Sequence, residues 1–238
     1  MTGIVAVSHS PALARAAVDL ALEMGGAHPP AIRIAAGGPD GSTGTDAIAI
    51  AAAIDAVADD GGVLVVTDLG SAILSARLAL ELVTTGARVR LSAAPFVEGL
   101  VAAVVAAASG AGVDDVDRQT LAALDAKRSQ RGGEGTGASA EAASASAEAS
   151  FDVVVSNPSG LHARPAATFA RTAARYDADV QVTDLDAGGA PASASSLVAL
   201  MALDVRQGTR VRVQASGPQA ADALDALRAL LDEGFGEL

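Results

Sequence analysis

Over its first 128 residues the chain alternates short apolar runs with longer helical patterns. Ile4 to Val7, Ile32 to Ala35, Val63 to Val66 and Val89 to Leu91 are apolar or β-branched stretches of strand length. Between them, Leu13, Ala17, Leu20 and Met24 recur at helical spacing, Ala47 to Val57 reads as a second helix, and Ile73, Leu74, Leu78 and Leu82 mark a third. Two more helices are expected over Phe96 to Ala108 and Val113 to Lys127. Strands buried on both faces and joined by helices predict an α/β fold with a doubly wound, mostly parallel sheet. Its functional crevice belongs beyond the C-terminal ends of the strands.

The pattern then stops. Arg128 to Ser150 holds Gly, Ala, Ser and Glu with no large apolar residue, so it cannot bury enough surface to offset the entropy of ordering. Residues 129–150 are therefore expected to be a flexible linker between domains at 1–128 and 151–238. A linker of roughly 22 flexible residues spans about 25 Å and holds its ends at an effective concentration near millimolar. Beyond it, Ala166, Phe169, Ala170 and Ala173 follow i, i+3, i+4, i+7 spacing, with Tyr176 extending the stripe, so a helix is expected there too.

Composition narrows the choices. At 238 residues, each half can bury a core of its own. Aromatics are 2% of the chain, so those cores are built from Ala, Val, Leu and Ile. A net charge of −12 argues against nucleic acid and anionic membrane surfaces as partners. With no cysteine there are neither disulfides nor thiolate metal sites. The stretch from Met1 to Val7 lacks a basic region, and the longest strongly apolar run, Leu100 to Ala108, is too short for a bilayer. A soluble, cytoplasmic protein is expected.

The densest chemistry lies in Gly160-Leu161-His162-Ala163-Arg164-Pro165-Ala166. Pro165 fits the first turn of the helix, where its missing N–H costs no hydrogen bond, so His162 falls near the N-cap. Unpaired N–H groups and the positive end of the dipole favour an anion there, by roughly 0.3–1 kcal/mol. Arg164 adds a permanent cation with a planar fork of donors. The one nucleophile in the motif is the His162 imidazole, which suits acceptance of a phosphoryl group. A bare histidine would more often simply cap the helix. Gly160, Arg164 and Pro165 at these offsets favour the phosphoryl reading.

In the first domain, three loops leave the strand ends. Ser8-His9-Ser10 places Ser10 as a cap before Pro11. The loop from Gly37 to Asp46 is glycine-rich but lacks the Gly-Lys-Ser/Thr ending of a Walker loop. Asp68-Leu69-Gly70-Ser71 follows the Val63 strand. His9 and Asp68 thus converge at one edge, where the carboxylate can fix the imidazole tautomer and leave the other ring nitrogen for a phosphoryl donor. Taken singly, His9 is a loop histidine and Asp68 an N-cap. His28, before Pro29-Pro30, reads as a surface turn residue.

From about Phe151 onward the chain resembles HPr, the histidine phosphocarrier of the phosphoenolpyruvate-dependent phosphotransferase system. The match rests on Gly160 to Pro165 and on Ser195-Ser196-Leu197 followed by Gly208. The resemblance implies a small α+β open-faced sandwich, phosphorylation of His162 on Nδ1 and steadying of the phosphoryl group by Arg164. Ser196 matches a regulatory serine of some members. Ser195 and Ala199 stand where those members have lysine and glycine, so an N-cap is the simpler role. Residues 1 to about 128 resemble the mannose-class enzyme IIA domain, and within it the phosphotransfer subunits of dihydroxyacetone kinase. That match rests on Val7 to Ser10, Ala35-Ala36-Gly37, Gly44-Thr45-Asp46, Asp68 to Ala72, Ala93-Ala94-Pro95 and Val97-Glu98-Gly99. It implies phosphorylation of His9 on Nε2, orientation by Asp68, and a homodimer formed through this domain.

Together the two resemblances imply a relay from phosphoenolpyruvate through enzyme I to His162, then His9, then ADP held by a DhaL-type kinase subunit, and finally dihydroxyacetone bound to DhaK. No cofactor or metal is required of this chain. Some relatives carry an enzyme I-like module after the HPr domain; the sequence given ends at Leu238, so a separate enzyme I is expected. The rivals are a sugar-transporter component donating to a IIB domain, a regulatory module that reports phosphorylation state, and a metal enzyme. Sugar-specific relatives tend to carry Asp-Thr-Trp-Gly where this chain has Asp68-Leu69-Gly70, which favours the kinase partner. Three separated histidines without cysteine form no recognisable ligand set.

Overall fold

Strand β1 (Gly3–Ser8) is buried at every position, because it runs through the centre of a four-stranded sheet with helices on both faces. The computed structural model describes residues 1–124 and 149–237. The chain divides into two compact units, residues 1–124 and 125–238. The expected linker lies outside the described residues, except that Ala149 and Ser150 already belong to the first strand of the second unit, opposite Ala215 and Gln214.

In the first unit, β1 is followed by α1 (Pro11–Met24), β2 (Ile32–Ala36), α2 (Ala47–Val57), β3 (Val63–Thr67), α3 (Gly70–Leu80), β4 (Val89–Ser92), α4 (Phe96–Ala108) and α5 (Val113–Leu121). All strand pairs are parallel, in the order β2-β1-β3-β4. Alternate side chains serve opposite faces: Ile4, Ala6, Leu64 and Val66 pack with α1, α4 and α5, while Val5, Val7, Val63 and Val65 pack with α2 and α3. Each fully buried Val, Leu or Ile contributes roughly 1.5–3 kcal/mol, so this two-sided sandwich holds the sheet rigid under its loops.

The helices start where local chemistry starts them. Ser10 caps α1 by accepting from the Leu13 amide, with Pro11 as first residue, and Asp46 caps α2 by accepting from the Ile48 amide. The faces of α1 and α3 differ from expectation. The sheet contacts Ala14, Ala17, Val18 and Ala21 on α1 and Ala72, Ala76 and Ala79 on α3, whereas Leu13, Leu20, Leu74, Leu78 and Leu82 face solvent. These two helices meet the bulky Val, Leu and Ile of the strands with mostly small side chains, which lets them lie close against the sheet, while Ile50, Ile54, Leu100 and Val104 of α2 and α4 fill the rest of its faces. Helix α5 ends at Leu121, and residues 125–127 of the helix expected there lie outside the described residues. Among the described residues, no helix is long and apolar enough to cross a membrane.

The second unit is an antiparallel sheet ordered β5-β8-β6-β7, with helices on one face, built from β5 (Ala149–Val154), α6 (Ala163–Ala173), β6 (Asp179–Asp184), β7 (Ala192–Ser193), α7 (Leu197–Ala202), β8 (Arg210–Ser216) and α8 (Ala220–Asp232). Strand β8 alternates: Val211, Val213 and Ala215 are buried, while Arg210, Arg212 and Gln214 lie toward the open face. There Arg212 grips Asp152 of β5 through two hydrogen bonds of 2.7 and 2.8 Å. Ala166, Phe169, Ala170 and Ala173 of α6 are buried, as their spacing predicts.

Gly160 sets the loop that leads into α6. Its φ is +64°, and a Cβ there would stand 2.2 Å from the Val205 carbonyl oxygen, a position only glycine can occupy. Leu161 then donates its amide to that same carbonyl at 2.9 Å. Gly160→Ala is expected to destabilise the second unit by about 2–4 kcal/mol. Urea unfolding followed by the fluorescence of Tyr176, the single tyrosine of a chain without tryptophan, measures this unit selectively.

Candidate functional site

The sheet order decides where chemistry can sit. From β1 the chain crosses to β2 on one side and returns to β3 on the other, so the loops after β1 and β3 diverge and leave a crevice between them. His9 follows β1 and Asp68 follows β3, and the Asp68 amide donates to the Val7 carbonyl at 3.1 Å, carrying the strand pairing to the rim.

The Asp68 carboxylate accepts four hydrogen bonds. Oδ1 faces His9 Nδ1 at 3.0 Å and takes the Leu69 amide at 2.7 Å; Oδ2 takes the His9 amide and the Ser8 hydroxyl, each at 2.9 Å. Its side chain is 7% exposed. Burial alone would raise its pKa, but the amide, ring and hydroxyl donors outweigh that and hold the carboxyl below its ordinary range. An ionised carboxylate at Nδ1 fixes the neutral ring with its proton on Nδ1. Nε2 then carries the lone pair, and it faces the Ser71 hydroxyl at 3.0 Å. Asp68 is not a helix cap: the N-cap of α3 is Leu69, with no side-chain cap bond. The glycine-rich loop closes the crevice from the other side, with the Gly37 amide on the Ser8 carbonyl and the Gly44 amide on the His9 carbonyl.

In the second unit, His162 is the N-cap of α6, and its side chain makes no cap hydrogen bond, so the ring is not spent on the helix. The side chain is 47% exposed, with Nε2 3.6 Å from Glu237 Oε1. That geometry leaves Nδ1 as the ring nitrogen away from the acid. The amides of Ala163 and Arg164 lie in the first turn, where helix geometry provides no intrahelical acceptor, and Arg164 is exposed. Buried Asn157 ties the assembly together, donating from Nδ2 to the Gly160 carbonyl at 2.9 Å and to Glu237 at 3.0 Å. The Glu237 carboxyl is held below its ordinary range, mainly by Asn157 and in part by His162.

Ser196 caps α7 by accepting from the Ala199 amide, and Gly208 turns the chain toward β8 with φ +88°. His28 is an exposed turn residue. Sequence reasoning assigned no role to Ser71, Asn157 or Glu237. Ser71 was within reach, one helical residue past Gly70 in a loop already singled out, whereas Glu237 lies 75 positions from His162 and carries no motif.

Residues 149–233 match the family model described as PTS HPr component phosphorylation site, and residues 3–117 match PTS system fructose IIA component. The whole chain is 42% identical over 244 residues to a protein of Escherichia coli (strain K12) named PEP-dependent dihydroxyacetone kinase, phosphoryl donor subunit DhaM. The chain is thus similar to DhaM over its whole length. A relative of the same name from Klebsiella michiganensis is 41% identical over 245 residues, again across all of this chain. The alignments cover 51% of each of these relatives, so the chain spans about half the length of the curated DhaM proteins it matches. The crystal structure of HPr-C-His from Thermoanaerobacter tengcongensis aligns with 38% of this chain and 98% of its own, at 33% identity and a TM-score of 0.36. His9 lies in the stretch that matches the IIA model and His162 in the stretch that matches the HPr model.

The lowered pKa of Asp68 has a stability consequence. A carboxyl whose folded pKa lies below its unfolded value contributes stability in full above the unfolded value, about 4, and loses it as pH falls through the folded one. Asp68→Asn should therefore flatten part of the acid-unfolding limb of the first unit below about pH 4. Asp55, lowered by its hydrogen bonds to Thr84 and Thr85, keeps part of that limb in place. Thermal melts from pH 2 to 7 on both proteins measure the difference; parallel curves would contradict the assignment.

Proposed function

We propose that the chain is a phosphohistidine relay. It takes a phosphoryl group from phosphoenolpyruvate by way of enzyme I onto His162, passes it to His9, and delivers it to ADP on a DhaL-type kinase subunit for phosphorylation of DhaK-bound dihydroxyacetone. The observation that carries the reading is the asymmetric imidazole of His9, with Nδ1 held by Asp68 and Nε2 turned to the rim. In each transfer onto a histidine the incoming nitrogen lone pair forms an N–P bond as the donor's bond to phosphorus breaks in line, and in delivery a terminal phosphate oxygen of ADP forms the new O–P bond as the N–P bond of His9 breaks. When Nε2 of His9 attacks, positive charge develops on the ring, and the Asp68 carboxylate stabilises it without moving. Ser71, at the start of α3, is placed to donate its hydroxyl to a phosphoryl oxygen once Nε2 is occupied.

His162 works by different means. Its ring is open to solvent, so it can meet enzyme I and His9 in turn, and its charge support comes from Arg164 and the first amides of α6. Glu237 opposes a dianion at His162, which favours onward transfer over storage. The kinase partner rather than a IIB domain is supported by the DhaM relatives, whose likeness runs through both units. Pairing of two copies through the first unit completes the reading.

Incubation with enzyme I and labelled phosphoenolpyruvate should label both histidines. His162→Ala should label neither, and His9→Ala should accept label on His162 yet give no dihydroxyacetone phosphate when DhaK and DhaL are added. Label on His9 in the His162→Ala protein would contradict obligatory passage through His162.

A further inference from the structure

The residues after α8 form an arm that returns to His162. The backbone passes through three consecutive left-handed positions, Gly234, Phe235 and Gly236, with φ of +56°, +57° and +77°. Phe235 is one of two non-glycine residues with positive φ among the described residues, a conformation that a bulky side chain takes only where its surroundings impose it. Its ring packs on that of Phe169 with centroids 6.5 Å apart, and Phe169 is fully buried in α6, the helix that His162 caps. The Glu237 amide closes the turn on the Gly234 carbonyl at 3.0 Å. Strain and ring contact together deliver one group to the site, the Glu237 carboxylate.

That carboxylate is held from two sides. Asn157, 1% exposed, donates to Oε2 at 3.0 Å; its own Oδ1 has no partner among the described residues, so joining Gly160 to Glu237 is what this buried amide accomplishes. Oε1 lies 3.6 Å from Nε2 of His162, an ion-pair distance longer than a hydrogen bond, so the carboxylate acts on the ring through its charge. Asn157 first, and His162 after it, hold the Glu237 carboxyl below its ordinary range against the opposing effect of burial, which keeps it ionised at neutral pH. Elsewhere around the ring, α6 brings the exposed Arg164, and the loop after α7 brings Arg206, paired with Asp204 at 2.8 Å. Among the described residues, Glu237 is the acid within ion-pair reach of the ring.

A phosphohistidine transfers well only with a proton on the nitrogen that does not carry phosphorus. With that proton in place, the N–P bond breaks with its electron pair returning to the ring, which departs as neutral imidazole. Without it the leaving group is an imidazolate, a far stronger base that departs poorly. We propose that Glu237 is a positioning residue for His162, keeping the proton on Nε2 while Nδ1 accepts the phosphoryl group and again while it gives the group up. On loading, the Nδ1 lone pair forms the bond to phosphorus as the donor's bond breaks, and the carboxylate stabilises the positive charge that spreads over the ring, so Nε2 retains its proton. Asp68 stands in the same relation to His9 with the two nitrogens exchanged. Each unit thus sets an acid beside the ring nitrogen left out of the transfer.

The proposal rests on the reading of His162 as a phosphoryl carrier, and the test separates the two. In the His9→Ala chain, enzyme I and phosphoenolpyruvate should load His162, and enzyme I with excess pyruvate then draws the group off. The ratio of this release rate to that of the same chain carrying Glu237→Gln should grow about fivefold between pH 6 and pH 8, the size expected of one unit charge at about 4 Å in water. Nitrogen-15 spectra of the loaded proteins at pH 8 should show Nε2 protonated in a larger fraction of the chain that keeps Glu237. Phe235→Gly, which frees the arm, should move the ratio in the same direction as Glu237→Gln, whereas Glu233→Gln, at an exposed acid four residues earlier, should leave it flat. Failure of enzyme I to load His162 would overturn the carrier reading. Normal loading with a Glu237→Gln ratio independent of pH, the result expected of plain charge repulsion, or with equal Nε2 protonation in the two loaded proteins, would overturn the role of Glu237 alone.

Discussion

The hydrogen bond between Asp68 and the Nδ1 side of His9 is the interaction on which the first unit's site depends. It needs two loops from adjacent parallel strands, β1 and β3, to end at the same height, and the strand pairing of Val7 with Thr67 sets that height. The carboxylate is committed on both oxygens to groups from each loop, so it is at once the joint between the loops and the orienter of the ring. An arrangement of this kind is paid for by folding and requires no reorganisation when charge appears on the imidazole.

The second unit solves a similar problem without a buried acid. Its histidine is held from below by backbone: Gly160 in a conformation closed to other residues, Leu161 bonded to Val205, and Asn157 joining the loop to Glu237. The ring itself stays in water. One site is fixed and recessed, the other carried on a helix cap and exposed.

This contrast also explains what was legible in the sequence. The His162 site is local: seven consecutive residues specify a turn, a cap and a helix, so pattern and motif converge. The His9 site is not local, and only the topology that brings the ends of β1 and β3 together unites His9 with Asp68; the strand runs were clear enough for that topology to be inferred. The alanine-rich helices were harder. In α1 and α3 both the alanine face and the leucine face have helical period, and hydrophobicity favours the leucines. The space left on the sheet by its own side chains and by the larger residues of α2 and α4 is filled by the small faces of α1 and α3, and this steric condition has no signature in a single helix. Asn157 and Glu237 were invisible for a related reason, since their roles arise from long-range contacts.

The most direct measurement is long-range proton–nitrogen NMR of the protein with nitrogen-15 in its histidines, before and after phosphorylation. The account predicts that His9 in the resting protein at neutral pH carries its proton on Nδ1 and that the phosphorus–nitrogen bond then appears on Nε2. A resting ring protonated on Nε2, or a phosphoryl group on Nδ1 of His9, would contradict it.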